Sequence, residues 1–225
     1  MTRLNQFIFT FLNVKVMMDW APKIAAGFVV TVELALLVVI AGLASGLTLA
    51  LLRLSGTRIL VWPIVFLVDA LRAIPPLLII ILLFFGLPSA GIELSGFMAT
   101  FLALSAVLAA FAEEIFWASI RAVPTGQNEA ARALGLGFLP IMFLVILPQA
   151  MRMAIPPLAN RTIAITKGTA FASVVGLSEI LGASQSAVAF SANPSPLILG
   201  AAAYVVLFAP VVAFARWLER RFARA

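Results

Sequence analysis

The sequence predicts an all-α integral membrane protein with five membrane-spanning helices. Three observations carry that prediction. Hydrophobic residues fill 64% of the 225 positions and charged residues only 11%, against roughly 25% charge in a soluble domain. Too few polar groups remain to coat a water-facing globule. Apolar runs able to cross about 30 Å of hydrocarbon recur along the chain. The basic residues gather in alternate segments between those runs, as membrane topology requires. The chain has no Cys, which excludes disulfides and thiol chemistry, and no His, the commonest general base and metal ligand. No catalytic residue, metal site or cofactor is therefore expected. The net charge of +6 is spent flanking apolar runs and does not point to nucleic acid.

Residues 1–23 are mixed. Phe7, Ile8, Phe11, Leu12, Val14, Met17 and Met18 recur at near-helical spacing among Asn5, Asn13, Lys15 and Asp19, which predicts a helix lying at the membrane interface on the outer, periplasmic side. No secretory cleavage pattern precedes the first long apolar run, so that run is expected to stay as an anchor. Residues 24–216 form the membrane domain. Its first span covers Ile24 to Leu52 and contains Gly42-x-x-x-Gly46, a spacing that admits a close neighbouring helix. A polar turn with Arg53 and Arg58 follows. The second span, Leu60 to Leu87, holds Asp69 and Arg72 three residues apart, so that they share a helix face, and then Pro75-Pro76, which should kink or break it. The third span, Phe97 to Ile120, carries Glu113 and Glu114, and Arg121 and Pro124 close it. The fifth span, Leu197 to Ala215, ends in a basic tail, 217–225, introduced by Arg216.

The fourth span follows from topology. The turn at Arg53 and Arg58, the region from Arg121 to Arg152 and the Arg216–Arg224 tail are basic; the loops at 88–96 and 182–196 lack Lys and Arg. The positive-inside rule sends the first set to the cytoplasm and the second outside. One more crossing is then needed, at about Ile155 to Leu181. Five crossings with the tail inside put the N-terminus outside, although Arg3, Lys15 and Lys23 argue mildly against it.

Between spans three and four lies a cytoplasmic loop, 125–150. Ala130, Ala131, Ala133 and Leu134 favour a short helix. Gly135 and Gly137 can stop it, because glycine takes the left-handed conformation of a helix end. A second apolar piece, Phe138 to Leu147, is closed by Pro148. Two short helices around a glycine break make a knob, and a knob on the aqueous face of a membrane protein offers a soluble partner something to grip.

Glu129-Ala130-Ala131, Gly135, Val145 and Leu147-Pro148 resemble the EAA loop of permease subunits in ATP-binding cassette importers, with Val145 where that pattern has Ile. The likeness narrows to the polar amino acid branch through Arg72-Ala73-Ile74-Pro75-Pro76-Leu77, Phe84-Phe85-Gly86-Leu87-Pro88, Ile146-Leu147-Pro148-Gln149-Ala150, Arg152 to Asn160 and Lys167 to Gly176. It covers roughly residues 28–220. The third span departs from it. Where that branch has Tyr, Ala-Glu-Ile and Arg-Gly, this chain has Phe111, Glu113-Glu114-Ile115 and Trp117-Ala118.

The resemblance implies a five-span permease of the bacterial inner membrane, paired with a second permease subunit. Two ATPase subunits would grip the knobs, and a periplasmic solute-binding protein would deliver an amino acid. Glu129, Ala130, Ala131, Gly135, Leu147 and Pro148 would form the ATPase coupling site. With no G-x-x-x-x-G-K-[ST] loop, the chain itself is not expected to bind ATP or to be an enzyme. Charges within the bilayer usually face protein or water, because they cost at least about 2.5–3.5 kcal/mol there. That makes Glu113, Glu114 and Lys167 candidates for the substrate path, and Asn160, in the stretch that carries the resemblance, is a further one. Glu113, if it faces the path, would favour a cationic cargo. The rivals are an ion-gradient-driven carrier or channel using Asp69, Glu113 or Glu114 as a proton relay, an intramembrane enzyme, and a non-transporting scaffold.

Overall fold

A computed structural model describes residues 3–222. Arg224 and the side chains of Asn5 and Ile8 lie outside the described residues. The elements among them are helical: α1 (Arg3–Phe11), α2 (Val14–Arg53), α3 (Arg58–Ala73), α4 (Pro76–Ile81), α5 (Gly96–Ala122), α6 (Thr125–Ala133), the single turn α7 (Phe138–Pro140), α8 (Leu147–Thr166), α9 (Ile180–Ser191) and α10 (Ser195–Phe222). Four helical stretches are long and apolar enough to cross a membrane, and a fifth exists if the pair broken at Pro75 counts as one span. The break has its predicted cause. Ile74 and Pro75 are extended, with ψ of 131° each, because proline disfavours helical geometry in the residue before it.

Several boundaries differ from the sequence expectation. The first long helix begins at Val14 and runs through Pro22, with no division at residue 23. The last helix continues through Arg216, Arg220 and Arg221. Pro148 does not close a short helix either. Ile141–Ile146 is a wide π-helical turn that leads straight into α8. The Leu147 N–H already reaches back five residues, to Met142 O. A proline at the next position enters a helix whose hydrogen-bond register is already shifted, as such bulges allow. Most of the expected 182–196 loop is α9. Glu179 caps that helix, its carboxylate accepting from Leu181 N at 2.9 Å and Gly182 N at 2.7 Å.

The chain forms two compact units. The first draws on the chain up to Val38, on Pro75–Leu104 and on Thr166–Val211. Ile24, Ile180 and Ala183 form one of its buried clusters, with Trp20, Phe28, Leu199 and Tyr204 against them. Helix α1 is fastened to the turn before α10. The Asn193 amide donates to Phe9 O at 3.1 Å, and Ser195 Oγ donates to Thr10 O at 3.1 Å and accepts from Asn13 N at 2.9 Å. Glu179 is fully buried, and Tyr204 Oη donates to it at 2.5 Å.

The second unit draws on Val39–Ile74, Ser105–Ile165 and the chain from Val212 on. Its backbone is the pairing of α2 with α5. A Cβ at Gly46 would stand 2.6 Å from Ala112 Cβ and 2.8 Å from Ala109 O, and one at Gly42 would stand 2.8 Å from the Leu108 side chain. The small-residue spacing therefore brings two helices of this same chain together. Two further clusters position the site. Ala50, Ala112, Phe116, Ala154 and Leu158 join α2, α5 and α8. Ile120, Val123, Ala131, Ile141, Ile146 and Ala150 join the end of α5 to the knob and α8.

Candidate functional site: a coupling knob and a charged membrane layer

The knob is built as a helix, a turn and a second helix start. α6 ends in a Schellman motif: Gly135 N–H donates to Arg132 O at 2.9 Å, and Leu136 N–H donates to Ala131 O at 3.2 Å. Gly135 has φ of 79°, the left-handed conformation predicted for it. Gly137 does not share it. Its backbone is extended, with φ of −77° and ψ of 174°, and it precedes the one-turn α7. Ala131, Ile141 and Ile146 point inward and fix the knob to the end of α5. Glu129, Ala130, Gly135 and Pro148 are exposed, and Leu147 is half-buried. Around them stand apolar side chains no helix of this chain covers: Leu134 is 81% exposed, and Phe138 and Leu139 are 63% exposed. Ala131 faces the chain's own core, so within Glu129-Ala130-Ala131 the outer surface comes from the first two residues.

Above the knob, in the same unit, the charged residues are paired. Glu113 is fully buried. Arg53 Nη1 lies 3.1 Å and 3.2 Å from its two carboxylate oxygens. The Arg53 guanidinium also lies 3.9 Å from the Trp117 ring centre, and Arg121 flanks that ring at 5.1 Å. Glu114 pairs with Arg72, which also reaches Asp69 at 3.7 Å. Phe111 lies between two guanidiniums, Arg161 at 3.9 Å and Arg72 at 5.3 Å. Asn160 is exposed and donates to Glu219 at 2.7 Å. The structure thus brings Glu113 and Glu114 onto adjacent arginines but not onto each other's partners, as their roughly 100° separation on a helix requires. Asn160 is engaged elsewhere.

Lys167 belongs to the first unit. It is exposed, 6.0 Å from the Phe208 ring centre, and opens a nine-residue 3₁₀ stretch, Lys167–Val175. Runs of that pitch longer than 3–4 residues are uncommon; this one closes at Gly176, in the left-handed conformation. Asp69, Glu113 and Glu114 each lie beside an arginine, Asp69 and Glu114 sharing Arg72 and Glu113 facing Arg53. Sequence reasoning missed Arg53 and Trp117 as partners of Glu113. Trp117, one helical turn beyond Glu113, was within reach of the sequence; Arg53, 60 positions away, was not.

Residues 39–224 match the family of binding-protein-dependent transport system inner membrane components. The chain belongs to that family. Within it, the permease is similar to the arginine transport system permease protein ArtQ of Bacillus subtilis, 33% identical over 202 residues, 89% of this chain and 92% of that one. It is similar as well to the probable glutamine ABC transporter permease protein GlnM of the same organism, 32% identical over 219 residues, covering 95% and 100% of the two chains. A crystal structure of an amino acid ABC transporter with histidines superposes with a TM-score of 0.84, at 31% identity over 91% of this chain and 96% of that one. The permease is thus a multi-pass membrane protein of the amino acid ABC transporter class, and its partners include ATPase subunits and another permease.

Proposed function

We propose that this permease moves a polar amino acid into the cell, driven by two ATPase subunits that grip its knob and fed by a solute-binding protein outside. The exposed knob around the left-handed Gly135 carries this reading: a partner-shaped apolar surface next to Glu129 and Ala130, anchored through Ala131 and Ile141 to membrane helices. Glu129, Ala130, Ala131, Gly135, Leu147 and Pro148 are the coupling residues. Hydrolysis of ATP takes place on the partner chain, and closure of the two ATPases moves the knobs so that stiff helices rock between outward and inward openings. The mate is a second copy or a sister permease.

The ties from Asn193 and Ser195 to the backbone at Phe9, Thr10 and Asn13 support an outside N-terminus. They hold the start of the chain beside the basic-free turn before α10, while α10 ends in the basic segment that favours the cytoplasm. Glu114 and Asn160 within the second unit, and Lys167 within the first, are the proposed substrate-path candidates; Glu113, fully buried against Arg53, is not among them. Because Arg53 matches the charge of Glu113, that residue gives no reason to prefer a cationic cargo.

Reconstitution tests the proposal. The permease, its mate, the ATPase and the binding protein are placed in liposomes, and uptake of radiolabelled amino acid is followed with and without ATP. ATP-dependent uptake that is lost in Glu129→Lys is expected. Uptake driven by a proton gradient without the ATPase would return the carrier reading to the front.

A further inference from the structure

We infer that Arg53, Glu113 and Trp117 form a clasp that carries the knob's displacement into the membrane helices, so that all three are positioning residues for coupling. The inference rests on the proposed ATP-driven uptake and adds where the motion passes.

Four observations converge on this clasp. Arg53 is the last residue of α2, and its sequence neighbours Leu51 and Leu54 pack against the cluster that holds the knob residues Ala131, Ile141 and Ile146. Glu113 sits on α5 with no exposed surface, next to Ala112 in the cluster that joins α2, α5 and α8. One guanidinium nitrogen, Arg53 Nη1, joins the two, shared between both carboxylate oxygens at 3.1 Å and 3.2 Å. The indole of Trp117, one helical turn further along α5 toward the knob, covers the guanidinium at 3.9 Å. A charge-assisted pair that is buried on the carboxylate side and covered by an aromatic plane on the guanidinium side resists being pulled apart. Below it, α2 and α5 both touch the knob cluster; above it, Gly46 brings their backbones together. A push on the knob therefore reaches both helices, and the clasp keeps them from sliding past each other.

The test separates coupling from folding. Removing one partner leaves a buried charge unmatched and is strongly destabilising, whereas replacing both with uncharged groups is often tolerated. The informative variant is therefore the double substitution Arg53→Met with Glu113→Gln, measured in the full complex in liposomes. The probes are radiolabelled arginine, glutamine, glutamate and cystine, and the readout is uptake per ATP hydrolysed for whichever the unmodified complex transports. The expected result is hydrolysis close to the unmodified rate with uptake per ATP reduced about fivefold or more, the low end of coupling between linked sites. Trp117→Leu should give a smaller loss. The charge-exchanged pair Arg53→Glu with Glu113→Arg should recover part of the ratio. An unchanged ratio in the double variant overturns the clasp, and so does a fall in uptake and hydrolysis in equal proportion. An unmodified complex that transports none of the four under ATP counts against the underlying reading instead.

Discussion

Substituting Gly46 by valine tests the α2–α5 contact on which the second unit is built. An ideal Cβ there stands 2.6 Å from Ala112 Cβ, 2.8 Å from Ala109 O and 3.0 Å from Glu113 N. Carbon atoms in good contact lie about 3.5–4.0 Å apart, so the first atom of the new side chain alone overlaps by roughly 1 Å. Two of the three obstacles are backbone atoms, which have no rotamer to turn away. The helices must separate, and Gly42 then loses its seat against Leu108. Overpacking of this kind costs about 1–3 kcal/mol, and the two further methyl groups put valine at the upper end. Valine regains only about 0.4 kcal/mol over glycine in helix propensity. The net loss is about 2.5 kcal/mol, roughly seventyfold in the folded-to-unfolded ratio. Denaturant titration of the purified permease in micelles, followed by tryptophan fluorescence, measures it. Gly126→Ala is the control: it lies in the first turn of α6 with nothing within 4 Å of its added Cβ, and should lose no stability, gaining at most about 0.5 kcal/mol. A Gly46→Val protein that unfolds at the same denaturant concentration as the unmodified one would refute the close-packed interface.

The knob and the buried capping site give further expectations. Gly135→Val forces a branched side chain to φ of 79°, a strain of about 1–2 kcal/mol, while Gly135→Asn relieves most of it; ATPase co-purification should drop in the first and persist in the second. Leu134→Asp puts a charge on the most exposed apolar residue of the knob and should abolish pull-down of the ATPase while leaving the permease's own melting unchanged. Tyr204→Phe removes the 2.5 Å bond to Glu179 and should cost about 1–3 kcal/mol. Glu179→Ala should cost more, because Tyr204 Oη and the N–H groups of Leu181 and Gly182 all lose their acceptor; thermal unfolding in micelles ranks the two.

Much of this was legible in the chain itself. The α5 boundaries, the break at Pro75, the local Asp69–Arg72 pair and the left-handed stop at Gly135 each follow from the chemistry of one or two residues. What escaped depended on distant partners. Glu113 could be recognised as an intramembrane carboxylate, but only the fold brings Arg53 to it across 60 positions. The continuation of the knob into α8 escaped because proline is ordinarily a stop, and a widened helical turn upstream removes that penalty. Helix α9 reads as a loop in the sequence because serines, glycine and glutamine dilute its apolar content. Its signature is finer: a glutamate cap, then Ile180, Ala183, Ser184 and Ala187 at helical spacing, small enough for close packing.

The uncovered leucines and phenylalanines of the knob bear on how the cell must make this protein. If the knob is the ATPase contact proposed above, a copy inserted without its ATPase would leave Leu134, Phe138 and Leu139 uncovered in water, and exposed apolar patches of that kind invite aggregation. An unaccompanied subunit is thus marked for chaperones and proteases by the same side chains that serve it once assembled. Balanced synthesis of the two chains becomes a condition of the permease's survival as well as of its work.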